Sequence, residues 1–231
     1  MGVHLQSASQ EIRRLNNNCI AGPFIRGIVL CSCGSTGRVT SSVNRLKKLV
    51  EMDIFDFVLS FAGVYTVDSL VVPALGRFVE NVYIYDMDPW TALVQSFGED
   101  KHALNSTPVM LSFAQFRTLP NNTQQRVVDT RVLAYSNFPD ARPWGLDMYR
   151  CSNKCCGALA HDMTFYPDGK QWYGKRWLDT EMKTTCMKCK QTQRKLSAPS
   201  WVYACPGENL GRVWYRWPLS LAQRMDIGIT E

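Results

Sequence analysis

Two short cysteine-bearing segments carry the residues best suited to chemistry. They are Cys151-Ser152-Asn153-Lys154-Cys155-Cys156-Gly157 and Cys186-Met187-Lys188-Cys189-Lys190. A tight turn lets two nearby thiolates reach one ion, and Zn2+ takes four sulfur or nitrogen ligands in a tetrahedron at about 2.0–2.3 Å. Gly157 directly follows Cys156, and a glycine relieves crowding where backbone amides turn toward a sulfur. The expected ligands are therefore Cys151, Cys156, Cys186 and Cys189, with Cys155 or His161 as alternatives for one position. Between Cys156 and Cys186 lie 29 residues, enough for a hairpin reversing at Tyr166-Pro167-Asp168-Gly169. Four thiolates leave no open coordination position, so one structural Zn2+ in a zinc-ribbon module is expected. A thioredoxin-like role for Cys186 and Cys189 would need a strand-to-helix setting, and the sequence before them has none.

The second candidate is the segment Cys31-Ser32-Cys33-Gly34-Ser35-Thr36-Gly37-Arg38-Val39-Thr40-Ser41-Ser42. Glycines and hydroxyls between a strand and a helix can form an anion nest, here with Cys33, Gly34, Ser35, Gly37 and Arg38. No Gly-Lys-Ser/Thr follows, which excludes the nucleoside-triphosphate loop. A cysteine-phosphatase loop needs five residues between Cys and Arg. Cys33 to Arg38 leaves four and Cys31 to Arg38 leaves six. A turn that caps the helix is the plainer reading. Thiol-protease chemistry would require His4, His102 or His161 beside a thiolate, and none of them ends an expected strand.

The third candidate is basic and aromatic. Trp172, Tyr173, Lys175, Arg176 and Trp177 lie together, and Lys188, Lys190, Arg194 and Lys195 flank the second cysteine pair. Residues 150–195 hold ten basic and four acidic side chains, which accounts for the whole formal net charge of +6. Lysine and arginine neutralise phosphates and exposed aromatics stack on bases, so nucleic acid is one expected partner. Trp172, Lys175, Arg176, Lys188 and Lys190 would be the contacts. A small module also buries aromatics as its core and solvates itself with lysine, which leaves a protein partner as the alternative.

The elements that must position these groups follow from periodicity. Ile25 to Cys31 and Phe57 to Phe61 read as buried strands, and Thr40 to Met52 and Val67 to Phe78 as helices, the latter with Pro73 inside. Asn81 to Tyr85 reads as a third strand, a helix starts at Asp88-Pro89, another runs from Met110 to Phe116, and Val127 to Tyr135 is a fourth strand. Strand-helix alternation predicts a three-layer α/β domain with a mostly parallel sheet. Two prolines and a glycine in Phe138 to Gly145 mark a break. The expected organisation is a polar N-terminal arm or helix over 1–20, an α/β domain over 21–138, and the zinc-ribbon module with a C-terminal extension over 139–231.

The first 18 residues are polar, without the apolar stretch of a secretory signal, and no apolar run reaches the roughly 18 residues of a membrane span. An intracellular protein, cytoplasmic or nuclear, is expected, with no membrane partner and with reduced thiols free to bind metal.

Cys31 to Val50, Phe57 to Tyr85, and Thr130 to Tyr135 leading through Arg142-Pro143-Trp144-Gly145 to Cys151 resemble a group of mushroom-type (basidiomycete) fungal proteins. In that group a cysteine-glycine-serine strand end precedes an α/β region, and an arginine-proline-aromatic-glycine segment leads into a zinc ribbon. The resemblance covers about residues 25–190; it implies the architecture and the cysteine ligands, and it implies no activity. The first expectation is a non-enzymatic zinc-binding protein that contacts nucleic acid or protein. The alternative is an enzyme or anion-binding α/β domain working through Cys31 to Ser42.

Overall fold

The computed structural model describes residues 24–31, 37–63, 66–98, 100–136, 142–153, 155–168, 177–206 and 211–229. The expected arm over 1–20, Cys33, Gly34 and Ser35 of the anion loop, and Trp172, Lys175 and Arg176 of the basic patch lie outside these residues.

The chain opens as expected. Strand β1 (Gly27–Leu30) leads to helix α1 (Thr40–Glu51) and strand β2 (Phe57–Phe61). β1 and β2 pair in parallel, Gly27 opposite Phe57 and Leu30 opposite Ser60. α1 buries Val43 and Val50 and exposes its basic side. Helix α2 (Asp68–Tyr83) follows, with Pro73 at its sixth position, then α3 (Pro89–Gly98) and the short α4 (Lys101–Ser106). Asp88 Oδ1 accepts the Trp90 and Thr91 amides, and Asp100 Oδ1 those of His102 and Ala103, so each carboxylate satisfies amides that a helix start leaves unpaired.

The mostly parallel sheet is overturned at two places. The residues 81–83 expected in a third strand continue α2 to its end at Tyr83. Val71, Ala74, Leu75, Phe78 and Val82 are all buried at three- and four-residue spacing, so one helical stripe runs through the β-branched and aromatic residues that suggested a strand. The expected helix from Met110 to Phe116 is a strand, β3 (Val109–Thr118). Its first five residues are buried on both faces, and a strand covered on both faces loses the alternation that marks strands in sequence.

β3 turns at 119–123 into β4 (Gln124–Tyr135), a ten-pair antiparallel ladder from Val109–Leu133 to Thr118–Gln124. β2 pairs antiparallel with β3. After the break the chain forms β5 (Met163–Pro167), β6 (Met182–Cys186) and β7 (Thr192–Leu196), then returns as β8 (Tyr203–Ala204), β9 (Arg212–Arg216) and helix α5 (Leu221–Asp226). The outcome is a six-stranded mixed sheet of order β1-β2-β3-β4-β9-β8 and a separate antiparallel sheet of order β5-β6-β7. Within the larger sheet only β1 and β2 are parallel. Among the described residues one strand-helix-strand unit is realised, β1-α1-β2, because the next stretch expected to cross over as a strand stays in α2.

Period-two alternation divides the core. Phe57, Leu59, Phe61, Leu111, Phe113 and Leu133 face α2, α3 and α4. Met110, Val132 and Ala134 face the other way, toward Val43 of α1, and that cluster runs on through Trp144 and Tyr149 to Phe165, Met182 and Cys186 of the smaller sheet. The second half of the chain is thus tied to the first by β9 along β4 and by a continuous apolar cluster.

An ion network closes the far edge. Asp56 accepts from Arg26 Nε at 3.1 Å and Arg126 Nη1 at 3.0 Å, and Arg126 reaches Asp53 at 3.2 Å. Burial alone would raise the Asp56 carboxyl, but the hydrogen bonds from Arg26 and Arg126 outweigh it and hold it below the usual range.

Candidate metal centre

The first cysteine segment is a turn built on its own backbone. Arg150 bridges to Leu159, the Cys151 amide donates to the Ala158 carbonyl at 3.1 Å, and the Cys156 amide donates to the Asn153 carbonyl at 2.9 Å. Asn153 Oδ1 accepts the Cys155 amide at 3.1 Å, an Asx turn that aims Cys155 outward. Gly157 has φ +62, and a Cβ there would meet nothing within 4 Å. The glycine is therefore required for its backbone conformation, and the crowding expected from the sequence is not its reason.

The second segment is the turn that leaves β6. The Cys186 amide donates to the Gln191 carbonyl and the Lys190 amide to the Cys186 carbonyl, both at 2.9 Å, with Lys190 at φ +61. β5 pairs Met163 with Cys186, which sets the end of β6 beside the loop that follows Cys156. Asp162 fastens the two. Its carbonyl accepts the Met187 amide at 2.8 Å, and its carboxylate takes the Leu159 amide at 3.0 Å and Lys188 Nζ at 2.7 Å.

These two turns bring the Sγ atoms of Cys151, Cys156, Cys186 and Cys189 within 4.8 Å of one another, close enough for the four to hold one metal ion. The Cys151–Cys189 separation is 3.6 Å and the Cys156–Cys186 separation 3.7 Å. A disulfide would need about 2.05 Å, so the four thiols are near neighbours without being paired. Cys151 and Cys186 are buried, and Cys155 is exposed outside the group. His161, 74% exposed, sits 3.6 Å from Asp162 and is no member either.

Backbone amides surround the sulfurs. Those of Cys189 and Lys188 donate to Cys186 Sγ, and the first of these is the leading cause that lowers the Cys186 thiol to about 7. Burial pushes Cys151 up to about 12 and also raises Cys156, against amide donation from Asn153 and Ala158 respectively.

No family model, no curated protein and no solved structure matches this chain.

The other candidates are placed differently. Gly37 lies where a Cβ would come 2.6 Å from the Phe61 carbonyl oxygen, so only glycine lets the start of α1 approach the end of β2. Arg38 Nε donates to the Ala62 carbonyl at 2.7 Å and its Nη2 pairs with Asp147, a partner 109 residues away. The Arg38 guanidinium is thus largely engaged by the protein. His102 is exposed on α4 with its amide on Asp100. Lys188 and Lys190 lie on the exposed turn after β6, Lys188 held by Asp162. Sequence reasoning missed Asp162, whose only signal was an acidic residue after His161, and Asp147, which had none. No helix among the described residues is long and apolar enough to cross a membrane.

Proposed function

We propose that the four cysteines hold one structural zinc ion, and that the protein is a non-enzymatic, zinc-stabilised binding protein. The observation that carries this is the spacing of the thiols. A tetrahedral ion with bonds of about 2.3 Å to sulfur needs edges of about 3.8 Å between sulfurs. Two of the six separations, 3.6 and 3.7 Å, fall beside that value, and all six lie within 4.8 Å, so small shifts of the thiols complete the tetrahedron. Thiolate donors favour zinc over the hard cations calcium and magnesium, and the four thiols are not joined in disulfides. Four protein ligands leave no position for water or substrate, which makes the site structural. The two turns joined through one ion are the feature expected of a ribbon.

The partner reading rests on β7 and its approach. Lys188, Lys190, Arg194 and Lys195 are all exposed, and among the described residues β7 is an edge strand of its sheet. Nucleic acid is the partner this charge suits, through phosphate contacts that carry no sequence information. Charged residues on an edge strand also prevent strand addition, and that role alone predicts no binding. A titration of mixed-sequence single strands at low and then rising salt separates them. Binding that weakens steeply with salt, and less steeply for Lys188→Ala/Lys190→Ala, supports the nucleic-acid reading; no binding at low salt removes it.

Metal analysis tests the core of the proposal. Purified protein should carry about one zinc per chain, Cys186→Ser/Cys189→Ser should carry almost none, and Cys155→Ser should keep it with stability unchanged within about 0.5 kcal/mol. Full retention by the double variant would end the assignment.

A further inference from the structure

Away from the cysteines, the larger sheet carries a second aromatic and basic surface. Leu133 pairs with Trp214, Arg131 with Arg216, and Trp214 with Tyr203, and direct partners share a face, here the one that packs against α2 to α4. Leu133 is fully buried there, whereas Tyr203 is 46% exposed and the Arg216 side chain 69%, so the cover ends between them. Trp90 of α3, Phe113 and Trp214 form a nest under Arg131, whose guanidinium carbon lies 4.9, 5.2 and 4.8 Å from their ring centroids. These distances are within the reach over which a ring face attracts a cation. Asp129 Oδ2 accepts Arg131 Nε at 2.8 Å, and its Oδ1 lies 3.5 Å from Arg216 Nε. Two guanidiniums thus share one carboxylate, which leaves an excess positive charge. Asp88, just before α3, has an oxygen turned to the Trp90 and Thr91 amides. Outward from the nest, the Tyr203 ring stacks on Trp214 with centroids 4.6 Å apart and planes at 28°.

We propose that this face is a second binding surface for single-stranded nucleic acid, a base stacking on the exposed side of Tyr203 and a neighbouring phosphate accepting from Arg216 above the fixed charge of Arg131. The inference shares its ligand class with the β7 reading and rests on different residues. Excess positive charge suits a polyanion, and a tyrosine ring backed by a tryptophan offers a flat platform that every base can use. An acidic peptide would use the arginines and gain nothing from the platform. A duplex hides its base faces in its own stack, so the platform serves single strands. Two residues along a strand rise about 7 Å, so the ring opposite Trp214 and the Arg216 guanidinium are about one or two nucleotides apart. The surface owes nothing to the metal and stands whether or not zinc is bound.

The sequence offers no forewarning of it. Trp90, Arg131, Tyr203 and Trp214 come from a helix and three strands, and only the pairing of β9 with β4 and β8 sets them side by side.

Fluorescence anisotropy of a labelled mixed-sequence single strand of about ten nucleotides, and of the duplex of the same sequence, tests the surface in the full chain. Tyr203→Ala should weaken binding of the single strand roughly tenfold and that of the duplex less than about twofold, as for loss of one stacking ring. Tyr203→Phe keeps the ring and should bind like the unmodified chain. Arg216→Ala should flatten the slope of log affinity against log salt by about 0.7, the value for one phosphate contact on a single strand. Arg45→Ala removes the same charge from the exposed side of α1, on the other side of the sheet, and should leave the slope unchanged. Single-strand binding undiminished in Tyr203→Ala would overturn this surface, and a loss in Lys188→Ala/Lys190→Ala alone would then leave the β7 reading standing. Equal losses for single strand and duplex in Tyr203→Ala would refute stacking and the proposal with it. Polyglutamate that displaces the strand as well as unlabelled strand of equal charge would assign the face to acidic protein segments and overturn the ligand class. No binding by the unmodified chain at low salt would remove both readings.

Discussion

The two sheets are held by different physics. β2 and the first half of β3 are buried on both faces, with Leu59, Phe61, Val109 and Leu111 fully enclosed between helices and the second apolar cluster. The three-stranded sheet buries alternate residues of β5 and β6, Met163, Phe165, Met182, Thr184 and Cys186, and β7 is exposed over four of its five residues. Each buried aliphatic side chain contributes about 1.5–3 kcal/mol, so the larger sheet has many such contributions and the smaller one few. Small sheets with little apolar area need a cross-link, and the cysteine cluster stands where β6 meets the turn before β5. The apolar cluster they share makes the smaller sheet lean on the larger one, while the larger has a second core that does not touch it.

The sharpest way to break this contrast is to remove the cross-link. With zinc bound as proposed, chelation or Cys186→Ser/Cys189→Ser should lower Tm by on the order of 10 °C. Amide exchange should rise by at least about a hundredfold in β5 and β6 and stay slow in β2 and β3. Uniform loss of protection across both sheets would show one cooperative unit instead of two.

The converse substitution attacks the larger sheet alone. Leu59→Ala, fully enclosed in the core under α2 to α4, should cost about 2–5 kcal/mol in denaturant unfolding. The folded fraction should keep its metal, because Leu59 belongs to the cluster that does not reach the cysteines. Metal loss at native concentrations of denaturant would tie the two regions together more tightly than their packing suggests.

The smallest effect concerns the ion network on the outer edge of the larger sheet. Asp56 is held below its usual range in the folded state, so its contribution is present above the unfolded carboxyl value near pH 4. It is lost as pH falls through the lower folded value. Asp56→Asn should therefore cost about 1–2 kcal/mol at neutral pH, and its deficit against the unmodified chain should shrink below about pH 4. A deficit independent of pH would assign Asp56 a packing role rather than an electrostatic one.

Local information was legible where one stretch of chain suffices. The turns at Cys151–Cys156 and Cys186–Cys189 each close on hydrogen bonds within a few residues, so the types and spacing of the cysteines already implied that they could share an ion. α1, the start of α3 at Asp88-Pro89, and β4 were likewise readable from periodicity and capping. What escaped was decided at a distance. Residues 81–83 join α2 because Phe78 and Val82 extend its buried stripe, and Met110 to Phe116 become a strand because β2 and β4 flank them with hydrogen-bonding edges. Short apolar runs suit either conformation, and only the neighbour that covers them chooses. The return of β9 to β4, the Arg38–Asp147 pair and the setting of Arg131 beside Trp90 and Trp214 depend on contacts between residues far apart in the chain, 109 positions for Arg38 and Asp147, and no local pattern encodes those partners. The sequence by itself determined the cysteine turns and most helices, since their hydrogen bonds are short-range; the tertiary structure alone decided sheet order and the face around Arg131, since loop closure brings those groups together only once both cores have formed.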